Sequence, residues 1–299
     1  MVSHIDPASR TRAWAETAAS FYRRERPDAH FRTSSSTSPA FADAIAGLLA
    51  EHPDLDAVVE VGAGVGTLLA HLHRRRLGLR LTGIDLRDRP RELDPAVGWA
   101  VDQWVGRDDP RVRGGGAGWR RGTADAVFAG LSGPTLVLAC EFLDDLPPTT
   151  GDHDDGRADA WAWLVQGLRR TGGLALLVDY VTGANREQQL LGYRDGQAVP
   201  PRIAADHNTT APVDLDAVTS AGEAVGATTL ARLRQSEAVR RWSPVAPGAC
   251  SGTGDPNDQL AELVQRSERY ALTAPDWLGG HWWLVQRITA AGSDGHVLR

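Results

Sequence analysis

One short segment constrains the fold of this chain more than any other. Residues 58–69 read VVEVGAGVGTLL, an apolar run followed by three glycines at alternate positions and then residues that suit a helix. Because glycine has no Cβ, it permits a tight turn and lets the backbone lie against a ligand. A strand, a glycine turn and a helix in this order direct the helix N-terminus at the bound group. The segment therefore predicts an α/β fold that binds a ligand.

The rest of the chain continues the alternation of strands and helices. The candidate strands are apolar along their whole length, which indicates a mostly parallel sheet with helices on both faces. We predict strands at Ala57–Val61, Leu81–Asp85, Thr135–Cys140, Leu174–Asp179, Thr228–Arg234 and Trp282–Arg287. We predict helices at Gly66–Arg76, Ala158–Arg170, Leu215–Val225 and Asp258–Tyr270. In such sheets, ligands bind beyond the carboxyl ends of the strands, near the point where the strand order reverses.

The first 52 residues follow a different pattern. Two helices are predicted there, at Ala13–Arg26 and Ala40–Ala50, and the serines of the intervening segment Phe31–Ser38 favour a loop. No linker-like segment separates two independent cores. We therefore expect an N-terminal helical extension or lid, residues 1–52, followed by a single domain, residues 53–299.

Composition argues against several classes of protein. The chain has 299 residues, a formal charge of -6, and no lysine, since all 32 basic residues are arginine. An acidic chain without a basic arm suits a nucleic-acid partner poorly. We find no apolar run long enough for a membrane span, no secretory signal and no metal-ligand spacing of cysteines. We therefore expect a cytoplasmic protein with no metal, no membrane and no nucleic-acid partner.

A charge beside the glycine turn distinguishes between two kinds of cofactor. Glu60 lies two residues before the first of the glycines Gly62, Gly64 and Gly66. A carboxylate there repels the pyrophosphate of a nicotinamide or flavin dinucleotide but attracts the sulfonium and ammonium groups of S-adenosylmethionine. Asp85, 85 − 66 = 19 residues after the last glycine, can accept hydrogen bonds from the ribose hydroxyls of either cofactor. We expect S-adenosylmethionine, with a dinucleotide as the alternative.

A second acidic segment follows the strand that we expect beside the first one. Residues 136–148 read LVLACEFLDDLPP and place Glu141, Asp144 and Asp145 just after the apolar run. Carboxylates hold the planar fork of a guanidinium through paired hydrogen bonds, and in methyl transfer an enzyme mainly positions the nucleophile and removes its proton. We predict Glu141 as a catalytic residue and Asp144 as a second one. Both aspartates also fit ordinary turn chemistry.

Three motifs in order resemble a known family. The glycine segment, ACEFLDDLP at residues 139–147 and GGLALLVDY at residues 172–180 are similar to successive motifs of the MidA-like methyltransferases. FRTSSSTSPAF, residues 31–41, resembles the family segment that covers the cofactor pocket from the N-terminal side. The resemblance covers nearly the whole chain. Downstream, Tyr193–Pro201, Thr210–Val213 and Leu278–Gln286 resemble versions from high-GC actinobacteria, in keeping with the replacement of lysine by arginine.

This resemblance implies a seven-stranded class I methyltransferase fold that uses S-adenosylmethionine. Mitochondrial members of the family look to be protein arginine methyltransferases acting on a subunit of respiratory complex I. By position, the resemblance puts Glu141 toward the methyl acceptor. The resemblance also places these residues at the cofactor: Glu60, Gly62, Gly64, Gly66, Asp85 and Cys140. Thr33 and Ser34 are implied as contacts of the cofactor or of the lid.

Three departures from the family pattern affect the choice of acceptor. Cys140 stands where asparagine is usual, Val181 replaces a glycine, and Pro212 stands where related chains commonly carry histidine. The loss of that histidine removes a possible base, which His207 could replace. The acceptor stays open between a protein arginine and a small-molecule natural product, and an assembly factor that keeps only the fold is a third reading. The oligomeric state is open as well, with a homodimer as one option.

Overall fold

A seven-stranded sheet organises the protein. The computed structural model describes residues 7–25, 30, 32–104, 119–120, 122–146, 155–181, 190–204, 208–243 and 255–291. In chain order the strands are β1 (Ala57–Val61), β2 (Arg80–Asp85), β3 (Gly98–Val101), β4 (Gln103–Trp104), β5 (Trp119–Arg120), β6 (Thr135–Cys140), β7 (Gly173–Asp179), β8 (Leu191–Arg194), β9 (Gln197–Val199), β10 (Asn208–Thr210), β11 (Thr228–Arg234) and β12 (Trp282–Ile288). The large sheet has the order β11-β12-β7-β6-β1-β2-β3, while β10-β8-β9 and β4-β5 form small separate sheets.

The strand order reverses beside β1. This strand pairs in parallel with β2 on one side and with β6 on the other, so that Val59 lies opposite both Thr82 and Val137. The β2–β3 and β6–β7 pairs are also parallel, whereas β12 runs antiparallel to both β7 and β11. The predicted mostly parallel sheet is confirmed, as is the placement of the Thr135–Cys140 strand next to the first one. Carboxyl ends of parallel strands therefore surround a crevice between β1 and β6.

Two apolar clusters explain why the strands are apolar throughout. Successive strand side chains point to opposite faces, and Val58 belongs to one cluster while Val59 belongs to the other. Trp283 lies in the first cluster and Trp161 in the second, both fully buried. The helices of the described residues are Pro7–Arg24, Ser34–Thr37, Pro39–Ala50, Thr67–Arg74, Gly122–Ala129, Asp155–Gly167, Leu215–Ala224, Gln235–Trp242 and Pro256–Thr273. None of them is long and apolar enough to cross a lipid bilayer.

The six predicted strands are confirmed with ends that agree within one residue, but other elements differ. β3 is absent from the prediction, and its four residues are exposed or half-buried in the structure. The loop prediction for the serine segment is wrong, since Ser34–Thr37 forms a helical turn. Thr33 Oγ1 accepts a hydrogen bond from Ser36 N at 3.2 Å, and Ser36 Oγ accepts one from Thr33 N at 3.1 Å. This reciprocal capping stabilises a helix that serine propensity alone does not predict.

Candidate functional site

A cleft opens where the strand order reverses, and we call it the glycine cleft because Gly62 and Gly64 line it. Its volume is about 1030 Å³, with the open solvent at its mouth included. The ends of β1, β2 and β6 line it, and Tyr22 of the N-terminal helix closes one side. The sequence argument placed a ligand at this edge of the sheet, and the structure contains a cavity there.

The glycine turn leaves one stretch of bare backbone in this cleft. Gly62 and Gly64 have φ angles of 73° and 59°, in the left-handed region that glycine favours. A Cβ on Gly62 would lie 2.8 Å from Cδ2 of Phe142, so that glycine is required by the protein's own packing. A Cβ on Gly64 would meet no atom within 4 Å and would project into open space. Gly64 is therefore the position at which a ligand can approach the backbone most closely.

Asp85 ties the glycine turn to the end of β2. Its Oδ2 accepts a hydrogen bond from Gly64 N at 2.7 Å, and its Oδ1 accepts one from Arg87 N at 2.9 Å. Burial raises the pKa of Asp85 to about 6, although these two hydrogen bonds oppose the rise. The carboxylate is therefore mostly ionised at neutral pH. Since each of its oxygens has a second lone pair, Asp85 can still accept a hydrogen bond from a ligand hydroxyl.

Asp102 is a lining residue that the sequence argument missed. It directly follows β3, is 2% exposed, and donates its backbone N–H to Asp85 O at 2.7 Å. Asp102 and Asp85 both line the glycine cleft. The signal was an acidic residue directly after the short strand GWAV, similar to Asp85 at the end of β2. It was overlooked because β3 itself was not predicted.

Glu60 lies behind the wall of the glycine cleft and does not line it. The side chain is 2% exposed, and its Oε2 has no hydrogen-bond partner among the described residues. Burial and, after it, the charge of Asp85 raise the pKa of Glu60 well above its usual range. The charge that the sequence argument assigned to Glu60 is therefore suppressed in the free protein. A cation bound nearby would favour the ionised form again.

A second cleft adjoins the first, and we call it the acidic cleft because Glu141, Asp144 and Asp145 line it. It measures about 1850 Å³, with its open mouth included. Glu141 and Asp145 line both clefts and so form a shared wall. A group bound in one cleft can therefore meet a group bound in the other at the end of β6.

Glu141 is held in an unusual backbone conformation at that shared wall. Its φ is 49°, which is rare for a residue with a Cβ and costs on the order of 1–3 kcal/mol. Two hydrogen bonds hold the residue there: Glu141 N donates to Val178 O at 2.7 Å, and Oε1 accepts from Ser34 N at 2.7 Å. The Ser34 hydroxyl in turn accepts a hydrogen bond from Gln235 Nε2 at 3.0 Å. Ser34 thus positions Glu141 from outside the lining of either cleft.

Buried carboxyl groups crowd the acidic cleft. Asp144 is 6% exposed, and its Oδ1 has no hydrogen-bond partner in the described part of the chain. Asp179 Oδ2 accepts hydrogen bonds from the backbone N–H groups of Leu143 and Asp144 at 3.2 and 3.3 Å. Burial first, and then the charges of Asp179, Asp145 and Glu141, raise the pKa of Asp144 well above its usual range. The cluster therefore favours a bound cation.

Arg157 supports the loop that carries these carboxyl groups, and the sequence argument missed it. The side chain is fully buried and donates hydrogen bonds to the carbonyl oxygens of Asp144, Leu146 and Pro212 at 3.1, 2.7 and 3.0 Å. Its positive charge lowers the pKa of Asp144 and of Asp179 and so opposes the effect of burial. Nothing in the segment GRADAW distinguishes this arginine from a solvent-exposed helix residue.

Asp145 links the N-terminal helix to the shared wall. Its Oδ2 accepts a hydrogen bond from the Tyr22 hydroxyl, its Oδ1 accepts one from Asn208 Nδ2 at 3.1 Å, and its carbonyl accepts one from Trp14 Nε1 at 3.2 Å. Burial raises the pKa of Asp145 to about 6, against the effect of the two side-chain hydrogen bonds. Asp145, which its sequence context suggested as a turn residue, thus also connects the N-terminal helix to the shared wall.

The fold is that of the class I methyltransferases. A crystal structure of a COG1565 superfamily protein from Burkholderia thailandensis, inferred to be a methyltransferase and bound to S-adenosyl-homocysteine, matches it with a TM-score of 0.65. The two chains are 18% identical, and the match covers 95% of this chain and 88% of the other. A second COG1565 structure from the same organism matches with a TM-score of 0.61 at 17% identity, over 98% and 96% of the two chains. No protein-family model and no curated protein matches the sequence.

The structure brings most of the predicted site residues to this methyltransferase-like crevice. Gly62, Gly64, Asp85, Cys140 and Thr33 line the glycine cleft. Glu60, Gly66 and Ser34 do not line it, and Gly66 instead begins a helix and packs against Leu93. Both predicted catalytic residues, Glu141 and Asp144, line the acidic cleft. His207 lies outside the described residues.

Cys140 contributes a neutral group to the glycine cleft. Burial chiefly, and then the carboxyl groups of Glu141 and Glu60, raise the pKa of its thiol well above the usual range. The thiol therefore stays protonated at neutral pH and is a poor nucleophile. Its place at the end of β6 suits packing against a ligand better than covalent chemistry.

Replacing Asp144 with asparagine should stabilise the protein at about pH 8 and change its stability little at about pH 4. The pKa of Asp144 is raised in the folded state, so the stability due to its protonated form is fully present below its unfolded pKa of about 3.9. That stability is lost as the pH rises through the folded pKa, whereas asparagine stays neutral. Each unit of raised pKa corresponds to about 1.4 kcal/mol of the free energy of unfolding. Urea unfolding at both pH values measures the difference.

Asp216→Asn is the matched control for this measurement. Asp216 is exposed and pairs with Arg232 at 2.6 Å on the surface, so its loss should have a small effect that changes little with pH. An Asp144→Asn variant that is destabilised equally at both pH values would show that the buried carboxyl group has hydrogen-bond partners in the native protein.

Proposed function

We propose that this protein is an S-adenosylmethionine-dependent methyltransferase that methylates an arginine side chain of a protein. The observation that carries the proposal is the shared wall, in which Glu141 and Asp145 line both the glycine cleft and the acidic cleft. A methyl donor in the first cleft and a cationic acceptor in the second would meet at Glu141. The resemblance of the sequence motifs to the MidA-like family, in an actinobacterial form, supports the same assignment.

The glycine cleft has the chemistry that S-adenosylmethionine requires. Bare backbone at Gly64 gives room for the donor, and the carboxyl groups of Asp85 and Asp102 can accept hydrogen bonds from ribose hydroxyls or an amino group. Leu86 and Phe142 provide apolar surface for a purine ring. When bound, S-adenosylmethionine supplies an electrophilic methyl group on a positively charged sulfur. The COG1565 neighbour bound to S-adenosyl-homocysteine supports this choice over a dinucleotide.

The acidic cleft has the chemistry that recognises a guanidinium. A guanidinium is planar, permanently charged and rich in N–H donors, and carboxylates bind it through paired, charge-assisted hydrogen bonds. In the free protein, burial first and then repulsion from neighbouring carboxyl groups raise the pKa of Asp144 and of Asp179. A bound guanidinium would offset that repulsion and allow the carboxyl groups to ionise. The cleft therefore gains favourable electrostatic energy when a cation enters it.

Each supporting residue has a defined task in this proposal. Glu141 accepts a hydrogen bond from the acceptor and orients the attacking nitrogen, while Ser34 N–H keeps its carboxylate in place. Asp145 holds the N-terminal helix over the glycine cleft through Tyr22, which limits the access of water to the donor. Arg157 keeps the carboxylate loop in position from its buried side. We place this activity in the cytoplasm, where S-adenosylmethionine is made and used.

A small-molecule acceptor is the second candidate. The acidic cleft is wide, and Tyr193 and the exposed Trp277 lie on its lining, so it could also accept a flat cationic metabolite. Both candidates need a cationic nitrogen beside Glu141, and they differ in whether that nitrogen belongs to a polypeptide. A labelling experiment separates them.

Incubation of the protein with isotopically labelled S-adenosylmethionine and a cell lysate should transfer the label to arginine residues. Mass spectrometry of digested proteins and of the metabolite fraction identifies the labelled group. The Glu141→Gln variant is the control, since it lacks the charge that we assign to acceptor binding. Label found only in metabolites would favour the small-molecule acceptor, and no transfer together with no affinity for the donor would overturn the proposal.

A further inference from the structure

A histidine that the sequence argument did not consider lies at the acidic cleft. His281 comes directly before β12, whose first residue, Trp282, pairs with Asp179 at the end of β7. Tyr180 follows Asp179, and its ring lies 6.1 Å from that of His281, centroid to centroid. β7 also borders β6, so Glu141, Tyr180 and His281 stand at the ends of three neighbouring strands and line the same cleft.

The imidazole of His281 has a ring nitrogen that is unpartnered within the described part of the chain. Its Nδ1 is buried and has no hydrogen-bond partner among the described residues. The backbone, in contrast, is fixed on both sides: His281 N donates to Leu278 O at 3.0 Å, and His281 O accepts from Gln235 N at 2.7 Å. The result is a ring with a fixed attachment point on the lining of a ligand-sized cleft.

His30, the other histidine of this cleft, is already engaged. Its Nδ1 accepts a hydrogen bond from Asp195 N at 3.1 Å, and its Nε2 lies 3.4 Å from Glu25 Oε2. Both ring nitrogens therefore serve to join the N-terminal segment to the β8–β9 hairpin. His281 differs, since its Nδ1 has no hydrogen-bond partner among the described residues.

A guanidinium needs a base before it can accept a methyl group. Its nitrogens share their electrons with the central carbon, and one N–H proton must leave as the new bond forms. The neighbouring carboxyl groups are less suitable. Glu141 is bonded to Ser34 N, and Asp145 is bonded to Tyr22 and Asn208. Asp144 is 6% exposed and so has almost no contact with the solvent that must take the proton away.

We propose that His281 is the general base of the reaction, an inference that rests on the proposed function. The acceptor N–H bond breaks, and the nitrogen's electron pair forms the new N–C bond. The C–S bond breaks at the same time, and its electrons stay on sulfur to give a neutral thioether. The proton passes to the imidazole of His281 and then to solvent at the open mouth of the cleft. The carboxylates around it stabilise the imidazolium that forms.

Several charged or titratable groups face the same space and affect any pH dependence. Those on the lining of the acidic cleft are Glu141, Asp144, Asp145, Tyr180, Tyr193, His30, Arg32 and Asp276. Asp179 lies behind Tyr180 at the end of β7, and Arg234 Nη1 donates to Gly280 O at 2.6 Å, next to the backbone of His281. A pH profile alone therefore does not identify the base, and the pKa of His281 has to be measured directly.

The first measurement is a titration of histidine ring resonances by NMR, with the His281 signal assigned from the His281→Gln variant. Methylguanidine serves as the probe, added to protein saturated with S-adenosyl-homocysteine. We expect methylguanidine to shift the ring resonances of His281, because it binds in the cleft that this ring lines. The signal of His52, which lies outside both clefts beside Arg287, should not move and serves as the control.

The second measurement is kinetic, with a library of end-blocked arginine peptides as acceptors. His281→Gln should lower kcat about 10²-fold and leave the affinity for S-adenosylmethionine unchanged. The wild-type rate should rise with pH through the pKa that NMR assigns to His281. The rate of the variant should not show this rise. Free imidazole should restore activity to His281→Ala, which a purely structural role does not explain. His73→Gln, at a surface histidine paired with Asp94, is the matched control.

The outcomes separate this inference from the function on which it rests. A wild-type protein that transfers no methyl group to any acceptor overturns both. An active wild type overturns only the role of His281 if His281→Gln keeps the same rate and pH profile, or if methylguanidine leaves the His281 resonance unchanged. A shifted His281 resonance, the loss of the pH-dependent rise in rate and rescue by imidazole together establish His281 as the base.

Discussion

Replacing Glu141 with glutamine should slow methyl transfer roughly 10²- to 10³-fold while the protein stays folded. Glutamine has the same shape, and its amide oxygen can still accept the hydrogen bond from Ser34 N. What is lost is the negative charge that holds the cationic acceptor and favours attack by its nitrogen. Transfer of a labelled methyl group to arginine peptides measures the rate, and calorimetry with S-adenosylmethionine measures donor affinity, which should change little.

Glu223→Gln is the matched control for this variant. Glu223 is an exposed helix residue far along the chain from the site, and it only accepts a hydrogen bond from Thr229. Its replacement should leave both the rate and the donor affinity unchanged. If Glu141→Gln lost donor affinity and rate to the same extent, Glu141 would belong to the donor site, and the acidic cleft would need another anchor for the acceptor.

Replacing Gly64 with alanine should weaken the binding of S-adenosylmethionine roughly 10²-fold. The added methyl group meets no protein atom within 4 Å and instead projects into the space where we place the donor. The left-handed backbone at this position adds a cost of about 1–2 kcal/mol to folding. Titration calorimetry with S-adenosylmethionine and with S-adenosyl-homocysteine measures the affinity, and thermal unfolding shows how much stability is lost.

Gly78→Ala separates the effect of backbone strain from the effect of filling the cleft. Gly78 has a φ of 75°, and a Cβ there also meets nothing within 4 Å, but the residue lies in an exposed turn before β2. The two variants should lose similar stability, and only Gly64→Ala should lose affinity. Equal affinity in both would place the donor elsewhere. A wild-type protein that bound NAD and not S-adenosylmethionine would reverse the choice of cofactor.

Local sequence was sufficient to predict the buried strands, the parallel sheet and the glycine turn. Continuous apolar runs such as Ala57–Val61 and Thr135–Cys140 are typical of strands buried on both faces, so their positions and the parallel sheet followed from the pattern alone. The glycine turn was predictable for a related reason, because left-handed backbone at Gly62 and Gly64 restricts the residue type. Asp85 and Glu141 were predictable as acids at the tips of buried strands.

Only the tertiary structure decided what those acids do. The bond from Ser34 N to Glu141 spans 107 positions of the chain, and the one from the Tyr22 hydroxyl to Asp145 spans 123. Burial, which suppresses the charge of Glu60, depends on the whole sheet and its covering helices. His281 reaches the acidic cleft because β12 pairs with β7, an arrangement without any local signal. Residue type and spacing determine strands and turns, whereas pKa values and partners depend on contacts between distant segments, which exist only in the folded chain.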